Sequence, residues 1–177
     1  KIKASKTFDN ATSCSSENSL IMVKAIYNDM LKALESVNGC LLTPKETAKL
    51  EAVLWHKGHL NAAMLAKPVS VMCELAGITR TSACDADFLM VEETGAGADF
   101  PFSGEKMALV LTLYRAQDFD DAKKVATMIL NYQGKGHSLS LHSQSIERAE
   151  ALGLEMPVCR VIVNQAHCFA TGGSFDN

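Results

Sequence analysis

Apolar positions along the chain change period several times, and the changes outline the predicted elements. Between residues 18 and 37, Leu20, Val23, Tyr27, Met30, Leu31 and Leu34 recur at three- and four-residue spacing, the pattern of an amphipathic helix. Asn38-Gly39 supplies its stop. Thr43, Pro44 and Glu46 form a capping-box signature and predict a second helix running to about Trp55. A shorter helix follows Pro68 through VSVMCELA, with Gly77 ending it. The period then shortens. DFLMVEE at 87–93 and MALVLTLYRA at 107–116 are compact runs rich in Leu and Val, predicted as buried strands. DFDDAKKVATMILNY sets Ala122, Val125, Ile129 and Tyr132 on one helical face and its acidic residues at the N-terminus, where the helix dipole favours them. GHSLSLHS reads as a strand, QSIERAEALG as a helix and CRVIVNQ as a strand. Strands alternating with helices predict an α/β fold, a mostly parallel sheet flanked by helices.

Length and charge narrow the classes of function. A chain of 177 residues fits one domain with a real core, and 47% hydrophobic residues predict a globular chain rather than a disordered one. The net charge of -3, with no basic cluster longer than Lys123-Lys124, gives nucleic acid no electrostatic footprint. No run of about 18 apolar residues marks a membrane span, and no signal-peptide pattern opens the chain. Six cysteines scattered through a chain of this size read as free thiols of a cytoplasmic protein. The chain opens KIKASKTFDN without Met and stops at GGSFDN just after a strand-like run; residues 1–177 are expected to be an excised domain.

Candidate chemistry begins at Cys14, in the polar stretch FDNATSCSSENS ahead of the first predicted helix. A thiolate is the nucleophile, and backbone N–H groups at a helix N-terminus stabilise it, with Ser15 and Ser16 as capping hydroxyls. The competing reading is a small buried core thiol. His56 and His59 share a helix face by spacing, but Gly58 intervenes and no third ligand follows, so a solvated helix end is the plainer reading and no metal is expected. His167-Cys168 has no mate. His137 follows glycines that permit close backbone approach. ETGAGADF at 93–100 lacks the order of a dinucleotide-binding loop and reads as a connector. Glu92-Glu93 reads as a strand end in solvent, and Glu105, on composition alone, as a solvated charge.

Four segments, in one order, carry a family resemblance. TFDNATSCSSENS resembles the catalytic-cysteine segment of the CoA-acylating branch of the aldehyde dehydrogenase superfamily. FSGEKMALVLTLYRA is similar to that branch's Phe-Ser-x-Glu-Lys segment, GKGHSLSLHS to its Gly-His-Ser/Thr segment, and RVIVNQ with the later Gly-Gly to the strand and turn near the end of the catalytic domain. The resemblance implies a Rossmann-like catalytic domain and reversible, NAD- or NADP-dependent oxidation of an aldehyde with coenzyme A to an acyl-CoA. It makes Cys14 the nucleophile, forming a thiohemiacetal and then a thioester, with its own backbone N–H as an oxyanion donor. It makes Glu105 the carboxylate that holds the nicotinamide ribose. His137 matches a histidine near the cysteine, which assists the thiol of CoA or orients an intermediate.

Departures from the superfamily pattern carry further expectations. Lys106-Met107-Ala108-Leu109 stand where acid-forming members continue Glu-x-Phe-Gly-Pro, which favours the acylating branch. The dinucleotide-binding domain, a second oxyanion donor and the C-terminal oligomerisation segment of the family have no counterpart in these residues. The chain alone is therefore expected neither to bind NAD(P) tightly nor to turn over, and the full-length protein to be a homo-oligomer. The cysteine segment and chain end are closest in character to members acting on anionic aldehydes, sulfoacetaldehyde or succinate semialdehyde, rather than acetaldehyde. Arg160, His167 and the Gly172-Gly173 backbone are candidate anion donors. Three alternatives stand beside this reading: a non-catalytic assembly domain keeping the fold, an acid-forming aldehyde dehydrogenase, and a metal-binding domain using His56, His59 and a cysteine.

Overall fold

Asn38 and Gly77 take left-handed backbone, with φ of 67° and 63°, in the computed structural model, which describes residues 1–172. Each turns the chain out of a helix, a conformation that Gly and Asn adopt at low cost. The chain starts with α1 (Ile2–Lys6), a 3-10 turn (Phe8–Ala11), β1 (Ser19–Val23), α2 (Tyr27–Ser36) and β2 (Gly39–Leu41). It continues through α3 (Pro44–Leu54), the short strands β3 (Trp55–His56) and β4 (His59–Leu60), then α4 (Val69–Ala76), α5 (Thr81–Cys84) and β5 (Phe88–Glu92). After β6 (Val110–Ala116) come α6 (Phe119–Tyr132), β7 (Ser138–Leu141), α7 (Ile146–Glu155), β8 (Arg160–Val163) and α8 (His167–Gly172). The Thr43 capping box forms as predicted: its hydroxyl accepts from the Glu46 N–H while the Glu46 carboxylate accepts from the Thr43 N–H.

The helix predicted over 18–37 is corrected in its first half. Ser19–Val23 is a strand, paired in parallel with β6 from Ser19 beside Thr112 to Val23 beside Ala116. A strand followed by a helix happens to reproduce three- and four-residue spacing, and the backbone groups offered by β6 decide the outcome. His56 and His59 are corrected as well. They face each other across a two-stranded hairpin whose turn residues, Lys57 and Gly58, both have positive φ, so they are not on a helix. Among the described residues no three His, Cys, Asp or Glu side chains are grouped to hold a metal.

The main sheet has the order β1-β6-β5-β2, every pair parallel. Phe88–Val91 of β5 and Val110–Tyr114 of β6 are buried throughout, as central strands of a covered parallel sheet must be. Leu50, Leu54, Met64 and Met72 join them in the main core. A second cluster forms where α6, which lies against β1 and β6, meets the parallel β7–β8 pair: Ala126, Leu130, Leu152 and Met156 pack there with Ile21, Leu139 and Val161. The buried positions of α6 are thus Ala126 and Leu130, whereas Tyr132 of the predicted stripe is exposed. Among the described residues no helix is long and apolar enough to cross a membrane. All six cysteines are free thiols.

Gly39 reports on how tightly this core is closed. A Cβ at Gly39 falls 2.5 Å from Cζ of Phe88 and 2.9 Å from the Leu34 carbonyl oxygen, and Phe88 is completely buried with no room to swing away. Gly39→Ala is expected to lower the unfolding free energy by about 1–3 kcal/mol, read from the midpoint of denaturant unfolding at unchanged slope.

Candidate active site

Cys14 sits in an exposed turn between the 3-10 segment and β1. No helix begins after it, so the expected stabilisation by a helix N-terminus is corrected: a strand follows. The turn is shaped differently. Asp9, Asn10 and Ala11 are successive left-handed residues, with φ of 48°, 49° and 61°, and Ala in that region is strained. The Thr12 hydroxyl holds the bend by donating to the Asp9 carboxylate (2.5 Å) or its carbonyl (2.8 Å). The Ser15 and Ser16 amides turn back onto Ser13, to its hydroxyl and carbonyl. The Cys14 N–H has no acceptor among the described residues, which leaves a donor beside an exposed thiol.

Behind this turn lies a buried polar layer that sequence patterning did not single out. Both carboxyl oxygens of Glu17 are buried without a hydrogen-bond partner among the described residues. Burial pushes the Glu17 carboxyl up from the usual range, while the Ser5 hydroxyl, the Lys6 ammonium and the His167 backbone draw it back. Lys6 is wholly buried, and desolvation lowers its pKa to about 7 against the attraction of Glu17. Lys106 is also buried; its Nζ donates to the carbonyls of Phe102 (2.7 Å) and Gly104 (2.9 Å). Burial drives its pKa well below the ordinary lysine value, and the nearby Lys6 adds to the effect.

Sheet topology brings the loops of Cys14 and Glu105 to one end of the main sheet, and Gln133 ties the Glu105 loop to the segment that leads to His137. Strands β1 and β6 are parallel neighbours, so the loops that enter them, bearing Cys14 and Glu105, lie on the same sheet edge. The Asn18 side-chain oxygen accepts from the Lys106 N–H at 3.1 Å and ties the two loops together. Glu105 is exposed, and its N–H donates to the Gln133 side chain just past α6 at 2.9 Å. From Gln133 the chain turns through Gly134 and Gly136, both at positive φ, to His137, the residue before β7. Glu105 also borders a cleft of about 560 Å³ lined by Trp55, His59, Leu60, Pro101 and Gln133.

His137 is half-buried and heads a chain of hydrogen bonds. Its Nδ1 lies 2.9 Å from the Ser138 hydroxyl, which lies 2.6 Å from Nε2 of His167. His167 is buried on α8, and its pKa falls to about 4, first through desolvation and then through His137, Arg160 and His142. The His167 backbone faces Glu17, and α8 docks on α1 through the Cys168 N–H and the Ser5 hydroxyl (2.8 Å). His167 was discounted as a ligand without a partner in sequence; its partner is Ser138, across the β7–β8 layer. Arg160 is exposed on β8, and Gly173 lies outside the described residues.

The parallel sheet flanked by helices defines an α/β domain, and its likeness to solved structures is to acylating aldehyde dehydrogenases. An acetylating aldehyde dehydrogenase from Geobacillus thermoglucosidasius matches it with a TM-score of 0.90 and 32% identity, over 95% of this chain and 37% of that one. Among curated relatives, the acylating sulfoacetaldehyde dehydrogenase of Cupriavidus necator is 55% identical over 177 residues, 100% of this chain and 36% of the relative. Its namesake from Bilophila wadsworthia is 38% identical over 97% of this chain and 38% of the relative. Nearly the whole chain is thus homologous to part of acylating aldehyde dehydrogenases, and it spans 36% and 38% of the length of these two relatives. No family model matches it.

Proposed function

We propose that residues 1–177 are the cysteine-bearing catalytic domain of an enzyme that oxidises an aldehyde and transfers the acyl group to coenzyme A. The observation that carries this reading is the exposed Cys14 thiol beside its own N–H, which has no acceptor among the described residues, on a loop bonded to the Glu105 segment through Asn18. In this reading the Cys14 thiolate adds to the aldehyde carbonyl, and the resulting alkoxide accepts from the Cys14 N–H, a fixed dipole of the kind worth about 3–4 kcal/mol in such transition states. Loss of hydride from that carbon restores the carbonyl and leaves a thioester on Cys14. The exposed Glu105 carboxylate suits the paired hydroxyls of a ribose at the mouth of its cleft. NAD or NADP supplies the hydride acceptor when bound there. His137 takes the proton of the CoA thiol, the CoA sulfur attacks the thioester carbonyl, and the Cys14 thiolate leaves. No metal takes part in these steps.

Substrate choice within this reading is an anionic aldehyde of the sulfoacetaldehyde class, supported by the names of the two curated relatives. His167, neutral and engaged with Ser138, is poorly suited to bind an anion, which leaves the exposed Arg160 as the better candidate. Six free thiols favour a reducing compartment, the cytoplasm. The test is a panel of sulfoacetaldehyde, succinate semialdehyde and acetaldehyde given to the intact enzyme with CoA and either nucleotide. Acyl-CoA formation, with the highest kcat/KM for an anionic aldehyde, is expected; free acid formed at full rate without CoA would instead support the acid-forming alternative. Residues 1–177 alone are expected to give no turnover, and reduced-nucleotide formation by them overturns that part.

A further inference from the structure

Ser138 joins two imidazoles with one hydroxyl, and a hydroxyl carries one hydrogen. At 2.9 Å from His137 Nδ1 and 2.6 Å from His167 Nε2, it therefore donates to one ring and accepts from the other. We infer that Ser138 and His167 are positioning residues that hold the proton of His137 on Nδ1 and leave its Nε2 as the acceptor for the incoming thiol proton. The inference rests on the reaction proposed above.

Protonation of His137 selects the direction of the chain. An imidazolium donates from both nitrogens, so Nδ1–H must point at the Ser138 oxygen, and the Ser138 hydrogen must then point at a lone pair on His167 Nε2. His167 has that lone pair only while it is neutral with its own proton on Nδ1. Its burial, and the positive or titratable groups that face it, Arg160, His142 and His137, keep it neutral. Glu17 meets only its backbone, and on the other side the Cys159 thiol donates to the His137 carbonyl at 2.8 Å, so neither competes for the ring. Where hydrolytic triads set a carboxylate behind the histidine, this chain sets a neutral imidazole reached through a hydroxyl. A neutral acceptor orients His137 while stabilising its imidazolium less, which suits a base that must release its proton again after each transfer.

The test separates the two half-reactions in the intact enzyme. Without CoA, a single burst of reduced nucleotide reads acylation of Cys14; CoA added to the acylated enzyme reads transfer. Ser138→Ala is expected to leave the burst rate within about twofold and to slow transfer at neutral pH about tenfold, a fraction of the 10²–10⁴ typical of a general base. The deficit should shrink as pH rises past about 8.5, where a free thiol ionises without help. Ser138→Thr, which keeps the hydroxyl, restores transfer, and His167→Gln, which keeps a side-chain acceptor, retains more of it than His167→Leu. Wild-type transfer rates in Ser138→Ala overturn the inference, as does an equal loss in both half-reactions that Ser138→Thr leaves unrepaired. An intact wild-type enzyme that makes no acyl-CoA overturns the proposed reaction and this inference with it; one that makes acyl-CoA while Ser138→Ala transfers normally overturns the inference alone.

Discussion

Cys14→Ala in the intact enzyme is expected to lower aldehyde oxidation by on the order of 10⁴-fold or more, the scale seen when a covalent nucleophile is removed. The loss falls on kcat, because the side chain makes no binding contact with nucleotide in the proposed reaction. No other thiol is placed to substitute. Cys168 is buried, with its thiol directed to the Ser5 carbonyl, and Cys159, though exposed, is directed to the His137 carbonyl. Stability should hardly change, within about 0.5 kcal/mol, since the Cys14 side chain lies in solvent on an irregular turn. Rate of reduced-nucleotide formation and the denaturant midpoint, measured on the same protein, separate the two effects. Substantial residual oxidation in that variant removes Cys14 from the role given to it.

Lys106→Met is expected to lower stability by about 1–3 kcal/mol. The Lys106 Nζ is the buried donor shared by the carbonyls of Phe102 and Gly104; Phe102 keeps the Thr112 hydroxyl as a donor, so the Gly104 carbonyl alone is left unpaired, at a cost of about 1–3 kcal/mol. Relief from burying the amine offsets part of this. The same segment presents Glu105, so a rise in the KM for nucleotide should accompany the loss, read from denaturant unfolding and initial rates; unchanged stability contradicts the argument. Burial also fixes the sign of a pH effect. For a lysine whose folded pKa lies below its unfolded value, the unfolded chain binds more protons between the two, so stability rises with pH across that interval. For Lys6 the interval runs from about 7 to 10.5; the gain is complete above 10.5 and is lost as pH falls to 7. Lys6→Met should flatten that slope.

Much of the architecture was legible because it rests on local physics. The Thr43 capping box, the left-handed stop at Gly77 and the short apolar runs of β5 and β6 are decided by residues near one another in the chain. The same holds for the Asp118 and Ser145 caps, which begin α6 and α7 inside the predicted segments. β1 was not legible: SLIMV has no sequence mark separating it from the following helix, and only the parallel partner β6 makes it a strand. That change of element also removed the helix terminus from which the reactivity of Cys14 had been argued.

Cys14, Glu105 and His137 were singled out by resemblance, without any account of how distant segments meet. By itself the sequence determined the alternation of strands and helices and the helix caps, since those depend on composition and spacing between near neighbours. Tertiary structure alone decided that β1 enters the sheet beside β6, that Lys6, Glu17 and Lys106 are buried, and that His137 reaches His167 through Ser138. The physical reason is that burial and hydrogen-bond pairing belong to contacts between residues far apart in the chain: a lysine reads as a solvated charge until the fold removes its water.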